Sequence, residues 1–293
     1  NMTSSNKVKG FAAGIIAAVC YGTNPLGTLE LYGDGFNSSS VLIYRYLLAV
    51  VMFAVVMLFR KESFKVKWGH LIRLATLGCM FSLSSATLYV SFHYMAAGIA
   101  STLLFVYPIM TAVLMTVFFH EKVTWTTSIA ILLAVSGVGL LYQGDGNEKL
   151  STAGFALVMC SSLLYATYII SVNRWPNPGM SNIKFTFYIL VFGLITMFIY
   201  SLIAGEEVQM LHTPTQWLCA AQLALLPTVL SLFFMTISIN LIGSTPAAIM
   251  GALEPVTAVI IGVFVFGESF SVQLGIGILA ILAGVTLIIA KKK

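Results

Sequence analysis

Long apolar runs separated by short polar clusters account for nearly the whole chain. Ten of them are read at about 10–29, 37–59, 70–94, 97–119, 125–142, 153–172, 182–204, 216–239, 246–266 and 270–290. Each is close to the roughly 20 residues that a helix needs to cross the hydrocarbon of a bilayer. The pattern predicts an all-α membrane protein of ten transmembrane helices with little chain left for a soluble domain. Small residues at helical spacing, Gly10, Gly14, Ala18 and Gly22 in the first run, let a neighbouring helix approach closely. Gly275, Gly277, Ala280, Ala283 and Gly284 in the tenth suit helix packing or a homodimer contact, leaving monomer and homodimer both open.

Composition agrees: 59% hydrophobic and 9% charged residues over 293 positions do not make a soluble globule. The net charge of +5 hints at an anionic partner, but the positions of the cations explain it. If the runs alternate in direction, Lys7, Lys9, Arg60, Lys61, Lys65, Lys67, Arg73, Lys122, Arg174, Lys184 and Lys291 to Lys293 share one face, with Lys149 on the other. By the positive-inside rule both termini are cytoplasmic, and the basic clusters read as topology signals rather than a nucleic-acid site. Trp68, Trp125, Trp175 and Trp217 sit at run ends as interfacial anchors. Cys20, Cys79, Cys160 and Cys219 are isolated, without metal-ligand spacing, and read as packing residues. No metal site or cofactor motif is expected. The first run follows lysines as a signal peptide would, but no small-residue cleavage site follows it, so a retained helix is expected.

Against this apolar background a few polar residues and prolines stand out. Glu254 lies in AAIMGALEPVTAVIIGVFVFGE, immediately before Pro255, among about twenty otherwise uncharged residues. A charge at the centre of a membrane helix costs on the order of 2.5 to 3.5 kcal/mol on insertion scales, so Glu254 must be protonated, paired or facing water. Arg45, in IYRYLLA, has no neutral form to adopt. At about 1.5 Å per residue it lies roughly 12 Å below the outer surface and Glu254 roughly 20 Å. If their helices adjoin, the long guanidinium reaches the carboxylate; snorkelling to the headgroups and a direct substrate role are the other two readings. In YGTNPLG, Pro25 leaves the Tyr21 carbonyl short of a donor, which places Tyr21, Thr23 and Asn24 at a cavity or another helix, or marks a kink for packing alone. Pro108, Pro227 and Pro255 are further expected helix breaks. Ser82, Ser84 and Ser85 are suited to bonding across helices or lining water, and His93 reads as an interfacial residue.

The chain also repeats. A shift of 147 carries Tyr107-Pro108 onto Glu254-Pro255, Ala100 onto Ala247, Glu121 onto Glu268 and Gly137 onto Gly284; a shift of 144 carries Gly10-Phe11 onto Gly154-Phe155 and Tyr21 onto Tyr165. Two halves, 7–143 and 152–290, of five runs each are expected. Because five is odd, the second enters from the opposite face, giving an inverted-topology repeat with its binding site near midplane. Tyr21, Tyr89, Phe105, Tyr107, Tyr165 and Tyr168 fall on the helices that would border such a site and suit an apolar or cationic ligand.

The stretch ALEPVTAVIIGVFVFGESFSVQLGIGILAILAGVTLII resembles the C-terminal signature of EamA-type members of the drug/metabolite transporter superfamily. AAGIASTLLFVYPIMTAVLMTVFFHEKVTWTTSIAILLAVSGVGLL resembles the corresponding first-half segment, and YGTNP and YRYLLA are similar to the first- and second-helix patterns. The first half departs from the pattern at Tyr107 before the proline and His120 before Glu121. The resemblance implies two EamA repeats around a central cavity and alternating access for small metabolites. Since Glu-Pro belongs to the general pattern, it casts Glu254 in helix structure, gating or coupling rather than substrate choice.

The functional expectation is a secondary carrier in the cell (inner) membrane, exporting an amino acid or related small metabolite. Tyr21, Asn24, Arg45, Tyr89, Tyr107, Tyr165 and Glu254 are the candidate cavity or coupling residues. No Walker motif is present, so ATP is not expected as the direct energy source, and proton coupling through Glu254 is the candidate. A flippase for a lipid or lipid-linked sugar, or a carrier of an organic cation, remains the alternative. Neither a Ser/His/Asp cluster nor paired carboxylates occur in the runs, so an enzyme is not expected.

Overall fold

The computed structural model describes residues 4–91, 94, 100, 103–141, 151–175, 179–265 and 270–291; among these the chain is helical, without strands. His93, Lys149 and Glu268, singled out above, lie outside the described residues. The elements are α1 (Ser4–Tyr21), α2 (Asn24–Gly33), α3 (Ser38–Phe59), α4 (Trp68–Ser91), α5 (Tyr107–Phe119), α6 (Trp125–Leu141), α7 (Thr152–Arg174), α8 (Asn182–Ala204), α9 (Pro214–Ala224), α10 (Ser231–Ile242), α11 (Ser244–Met250), α12 (Leu253–Val265) and α13 (Val272–Lys291), with a π-helical turn, Leu225–Leu230, joining α9 to α10.

Seven stretches are long and apolar enough to cross a membrane: α3, α4, α7, α8, the α9–α10 run of 29 residues, the α11–α12 run and α13; α5 and α6 are shorter apolar helices. The first apolar run differs from its expected form. It is not one helix over 10–29 but α1, a two-residue turn at Gly22-Thr23 and then α2, which continues to Gly33.

Polar side chains set where several helices begin. Asn37, Ser151 and Ser181 each accept a hydrogen bond from the backbone N–H three residues on, and Thr213 forms a reciprocal capping box with Gln216. These caps satisfy donors that a helix start leaves orphaned, and they fix the length of chain committed to each rod.

The rods pack through small residues. A Cβ on Gly137 of α6 would lie 2.8 Å from the Gly277 carbonyl oxygen of α13, and a Cβ on Gly277 would lie 2.8 Å from that of Gly137. Such backbone-to-backbone approach supplies the dispersion contact that drives helices together in lipid, where the hydrophobic effect between them is absent. Elsewhere α1 packs on α10, α4 on both α7 and α8, α3 on α8 and α9, α5 on α7 and α11, and α12 on α1. Between α4 and α7, Ser84 and Ser161 each donate to the other's backbone carbonyl, at 2.9 and 2.7 Å.

The connections gather at two ends of the bundle. At one, Ser181 donates to Glu62 at 2.6 Å, Lys184 Nζ to the Lys65 carbonyl at 2.5 Å, and Arg174 sits 4.0 Å from Glu121. At the other, the Asn37 N–H donates to Gln209 at 2.6 Å and Gln216 donates to Asp34 at 2.8 Å.

Candidate functional site: a cavity among broken helices

Three rods are interrupted at turns, Gly22-Thr23, Phe105-Val106 and Gly251-Ala252, and each interruption is followed within a few residues by a proline. Pro25 and Pro108 stand in the first turns of α2 and α5, and Pro255 is the third residue of α12, positions where the missing N–H leaves no helical bond unmade within the new helix. At Pro108 and Pro255 the carbonyl four residues back, left without its usual helical donor, has another one. Ser162 of α7, fully buried, donates to the Leu104 carbonyl at 2.9 Å, four residues before Pro108. The Glu254 N–H donates to the Gly251 carbonyl at 3.0 Å, four residues before Pro255. At the first break, Thr23 donates to the Cys20 carbonyl at 2.6 Å, and Gln222 reaches across from α9 to the Thr23 carbonyl at 3.3 Å.

Pro227 breaks the rod without a turn, through the π-helical segment. Thr228 donates to the Leu223 carbonyl at 2.9 Å, again four residues before the proline, and accepts from Arg45 Nε at 2.5 Å. Arg45 Nη2 donates to the Pro227 carbonyl at 3.0 Å and Nη1 to Asn24 Oδ1 at 3.4 Å, with the guanidinium 5.5 Å from the Tyr21 ring centroid. Arg45 is fully buried. The expected reach from Arg45 to Glu254 is therefore not what the structure contains: the ion pairs among the described residues are Arg60–Glu62 and Arg174–Glu121. Nor does Arg45 snorkel to a surface. The π turn presents unpaired backbone oxygen at its own depth, and a planar fork with five N–H groups satisfies it without a carboxylate.

The three turns meet. A Cβ on Gly22 would lie 2.5 Å from the Glu254 carbonyl oxygen, and a Cβ on Gly251 would overlap the Tyr107 hydroxyl. Beside this junction is a cavity of about 290 Å³ lined by Tyr21, Asn24, Tyr89, Tyr107 and Glu254 together with Gly22, Thr28, Leu29, Tyr32, Leu88, Leu104, Phe105, Pro255 and Ala258. That volume is at the lower end of small-molecule sites. A second space of about 20 Å³, enough for one water, adjoins it behind Tyr21, Tyr107 and Glu254, and is lined also by Ser84, Ser85, Ser161 and Tyr165. Among the described residues no donor reaches the Glu254 side chain, which is half-buried and borders both spaces.

Of the seven candidate residues, five border the larger cavity, Tyr165 borders the smaller, and Arg45 borders neither. Tyr165 packs edge-on to Tyr107 at 4.8 Å and stacks on Tyr168 at 6.2 Å, so Tyr168 serves as its backing rather than as lining. Sequence reasoning missed Tyr32, because the first apolar run was ended at 29, and Thr28, which lies within that run but was not singled out. It also missed Thr228 and Ser162. Thr228 directly follows a proline, a signal that was available; nothing around Ser162 marks it.

Comparison with known proteins agrees with this architecture. The sequence profile of the EamA-like transporter family matches residues 8–143 and again 152–290. An uncharacterized transporter, YdfC, of Bacillus subtilis is 25% identical over 80% of this chain and 76% of its own length. An uncharacterized transporter of Archaeoglobus fulgidus is 25% identical over 94% of each chain. One crystal structure superposes with a TM-score of 0.80 at 15% identity, covering 97% of this chain and 96% of that one, which establishes a shared fold. With a family profile that matches both halves and apolar rods that cross a membrane many times, this chain is a multi-pass membrane protein of the EamA-like transporter family.

Proposed function

We propose that the protein is a secondary active carrier that exports a small amphipathic metabolite, an amino acid or related compound, across the cell membrane by alternating access. The observation that carries this reading is the cavity itself: a carboxylate with no donor among the described residues, in an otherwise uncharged apolar run, beside a junction of three broken helices. Intramembrane acids of this kind mark substrate or ion paths, and broken helices at mid-depth are tolerated where they border a cavity.

Ten crossings account for the bundle when α1–α2, α5 and α6 are added to the seven long stretches. Counted so, the halves 7–143 and 152–290 carry five crossings each in opposite sense. The packing is consistent with an inverted repeat: α1 on α10 answers α7 on α4, α9 on α3 answers α4 on α8, and α12 on α1 answers α5 on α7. The end that gathers Arg60, Lys61, Lys65, Lys67, Lys122, Arg174 and Lys184 is the cytoplasmic one, and the end holding Asp34, Glu206 and Glu207 is the outer one. Glu254 couples transport to protons by taking up a proton in the conformation that lacks substrate, which removes an uncompensated charge from hydrocarbon. One chain supplies the whole cavity, so a monomer suffices.

The test is reconstitution in liposomes with a pH difference as the sole driving force and a panel of labelled amino acids, amines, nucleosides and sugars. Wild-type protein is expected to concentrate at least one of them, and Glu254→Gln to equilibrate it without concentrating it. A Glu254→Gln protein that still concentrates substrate rules out coupling through this carboxyl.

A further inference from the structure

The cavity's chemistry narrows the cargo of the carrier proposed above, on which this inference rests, from amino acids and related compounds to amines that carry no carboxylate. Its one ionisable carboxylate, Glu254, has no donor among the described residues, and none of the lining residues is Lys, Arg or His. The nearby cation does not compensate: Arg45 lies outside the lining, fully buried, with Nε, Nη1 and Nη2 committed to Thr228, Asn24 and Pro227.

Around Glu254 stand aromatic side chains arranged at angles to one another. Tyr32 meets Tyr89 edge-to-face at 6.2 Å, and Phe105 meets Tyr107 edge-to-face at 5.2 Å, so both faces and edges are presented within one small volume. Thr28 Oγ1, nine-tenths buried in the lining, has no hydrogen-bond partner among the described residues. A carboxylate, an unused hydroxyl acceptor and several π faces are all acceptors of positive charge. The lining holds no cation to answer a negative one; its hydroxyls and the Asn24 amide are neutral donors only.

We infer that the cavity takes an organic monocation, a primary amine carrying an apolar or aromatic body and no carboxylate, with its ammonium held by Glu254 and Thr28 and its body against Tyr32, Tyr89 and Phe105. A zwitterionic amino acid would bring its carboxylate into a cavity that offers neutral donors but no cation, so the desolvation cost of that group would be met only in part.

The test is a matched series on detergent-purified wild-type protein by isothermal titration calorimetry: 2-phenylethylammonium, phenylalanine and 3-phenylpropionate, which share one body and differ in charge. The amine is expected to bind at least about tenfold more tightly than phenylalanine, and the acid not at all. Glu254→Gln is expected to reduce amine binding at least about tenfold, while Arg45→Lys, if it folds, leaves the order of the series unchanged. Phenylalanine binding as well as the amine, the acid binding, or none of the three binding would each overturn the inference; the wild-type series decides without any variant. Uptake into liposomes separates the two readings: transport of phenylalanine without amine binding sinks the cargo class and leaves the carrier standing. Amine binding with no translocation of any compound does the reverse.

Discussion

The hydroxyl of Tyr107 rests on the backbone of Gly251, with no room between them for a β-carbon. Tyr107 opens the helix after the Phe105-Val106 turn, and Gly251 is itself a turn residue between α11 and α12, so this contact joins two breaks from opposite halves of the chain. The Tyr107 hydroxyl has no hydrogen-bond partner among the described residues. Gly251→Ala is expected to overpack the junction by about 1–3 kcal/mol. Tyr107→Phe, which deletes an oxygen that makes no bond, is expected to be neutral or stabilising, and to return part of the loss when combined with Gly251→Ala. Thermal unfolding in detergent of the two single variants and the double variant measures this; a double variant no better than Gly251→Ala alone refutes the contact.

Arg45 holds the π turn rather than Glu254, and that distinction is measurable. Thr228→Val keeps the shape but removes both the acceptor for Arg45 Nε and the donor to the Leu223 carbonyl, for an expected loss of about 2–3 kcal/mol, while Thr228→Ser retains both and loses less. Arg45→Met and Glu254→Gln are expected to add in their effects on stability, since no ion pair couples them. Arg45→Met and Thr228→Val are expected to couple strongly. A double-mutant cycle in which Glu254→Gln rescues Arg45→Met would show the ion pair that this structure lacks.

Ser162 does for Pro108 what Thr228 does for Pro227, but from another helix. Ser162→Ala leaves the part-buried Leu104 carbonyl, just ahead of α5, without this donor, at an expected cost of about 1 kcal/mol. In a Pro108→Ala background the backbone N–H at 108 becomes available to that carbonyl, and Ser162→Ala is expected to cost less than half as much. Equal costs in the two backgrounds would mean that Ser162 acts through packing alone.

The rods were largely legible in the sequence because lipid imposes a single rule on long apolar stretches, and polar caps such as Asn37 and Thr213 stand where that rule ends. Prolines marked the breaks for the same reason: an absent N–H must be accommodated somewhere. What satisfies each freed carbonyl was not legible, because the donor comes from a different helix, as with Ser162, or from a side chain beside the proline that is itself anchored by a distant residue, as with Thr228 and Arg45. The pairing of Arg45 was misjudged because charge was weighed against charge; the π turn, whose backbone oxygens compete for the same guanidinium, has no signature in composition. Tyr32 escaped because it lies past the point where hydropathy alone ends the first rod.

The two bundle ends carry the orientation argument, and they make a prediction about sidedness. Residues 60–67, 120–124, 174–175 and 179–184 meet at one end through Lys184, Ser181 and Arg174, and residues 34–38 and 205–216 meet at the other through Asn37 and Gln216. Cations crowd the first end and carboxylates the second, so by the positive-inside rule the first is expected to face the cytoplasm. With Cys20, Cys79, Cys160 and Cys219 replaced, single cysteines at Lys61, Lys122 and Glu207 all occupy exposed positions. A membrane-impermeant maleimide applied to intact cells is expected to label Glu207→Cys and to spare Lys61→Cys and Lys122→Cys until the membrane is opened. Lys7→Cys and Lys291→Cys, at the two ends of the helical chain, are expected to be spared together, since the ten crossings proposed above would return the chain to the face from which it started. Labelling of one of that pair without the other would remove a crossing from the proposed count, and with it the proposed opposed halves and the alternating access argued from them.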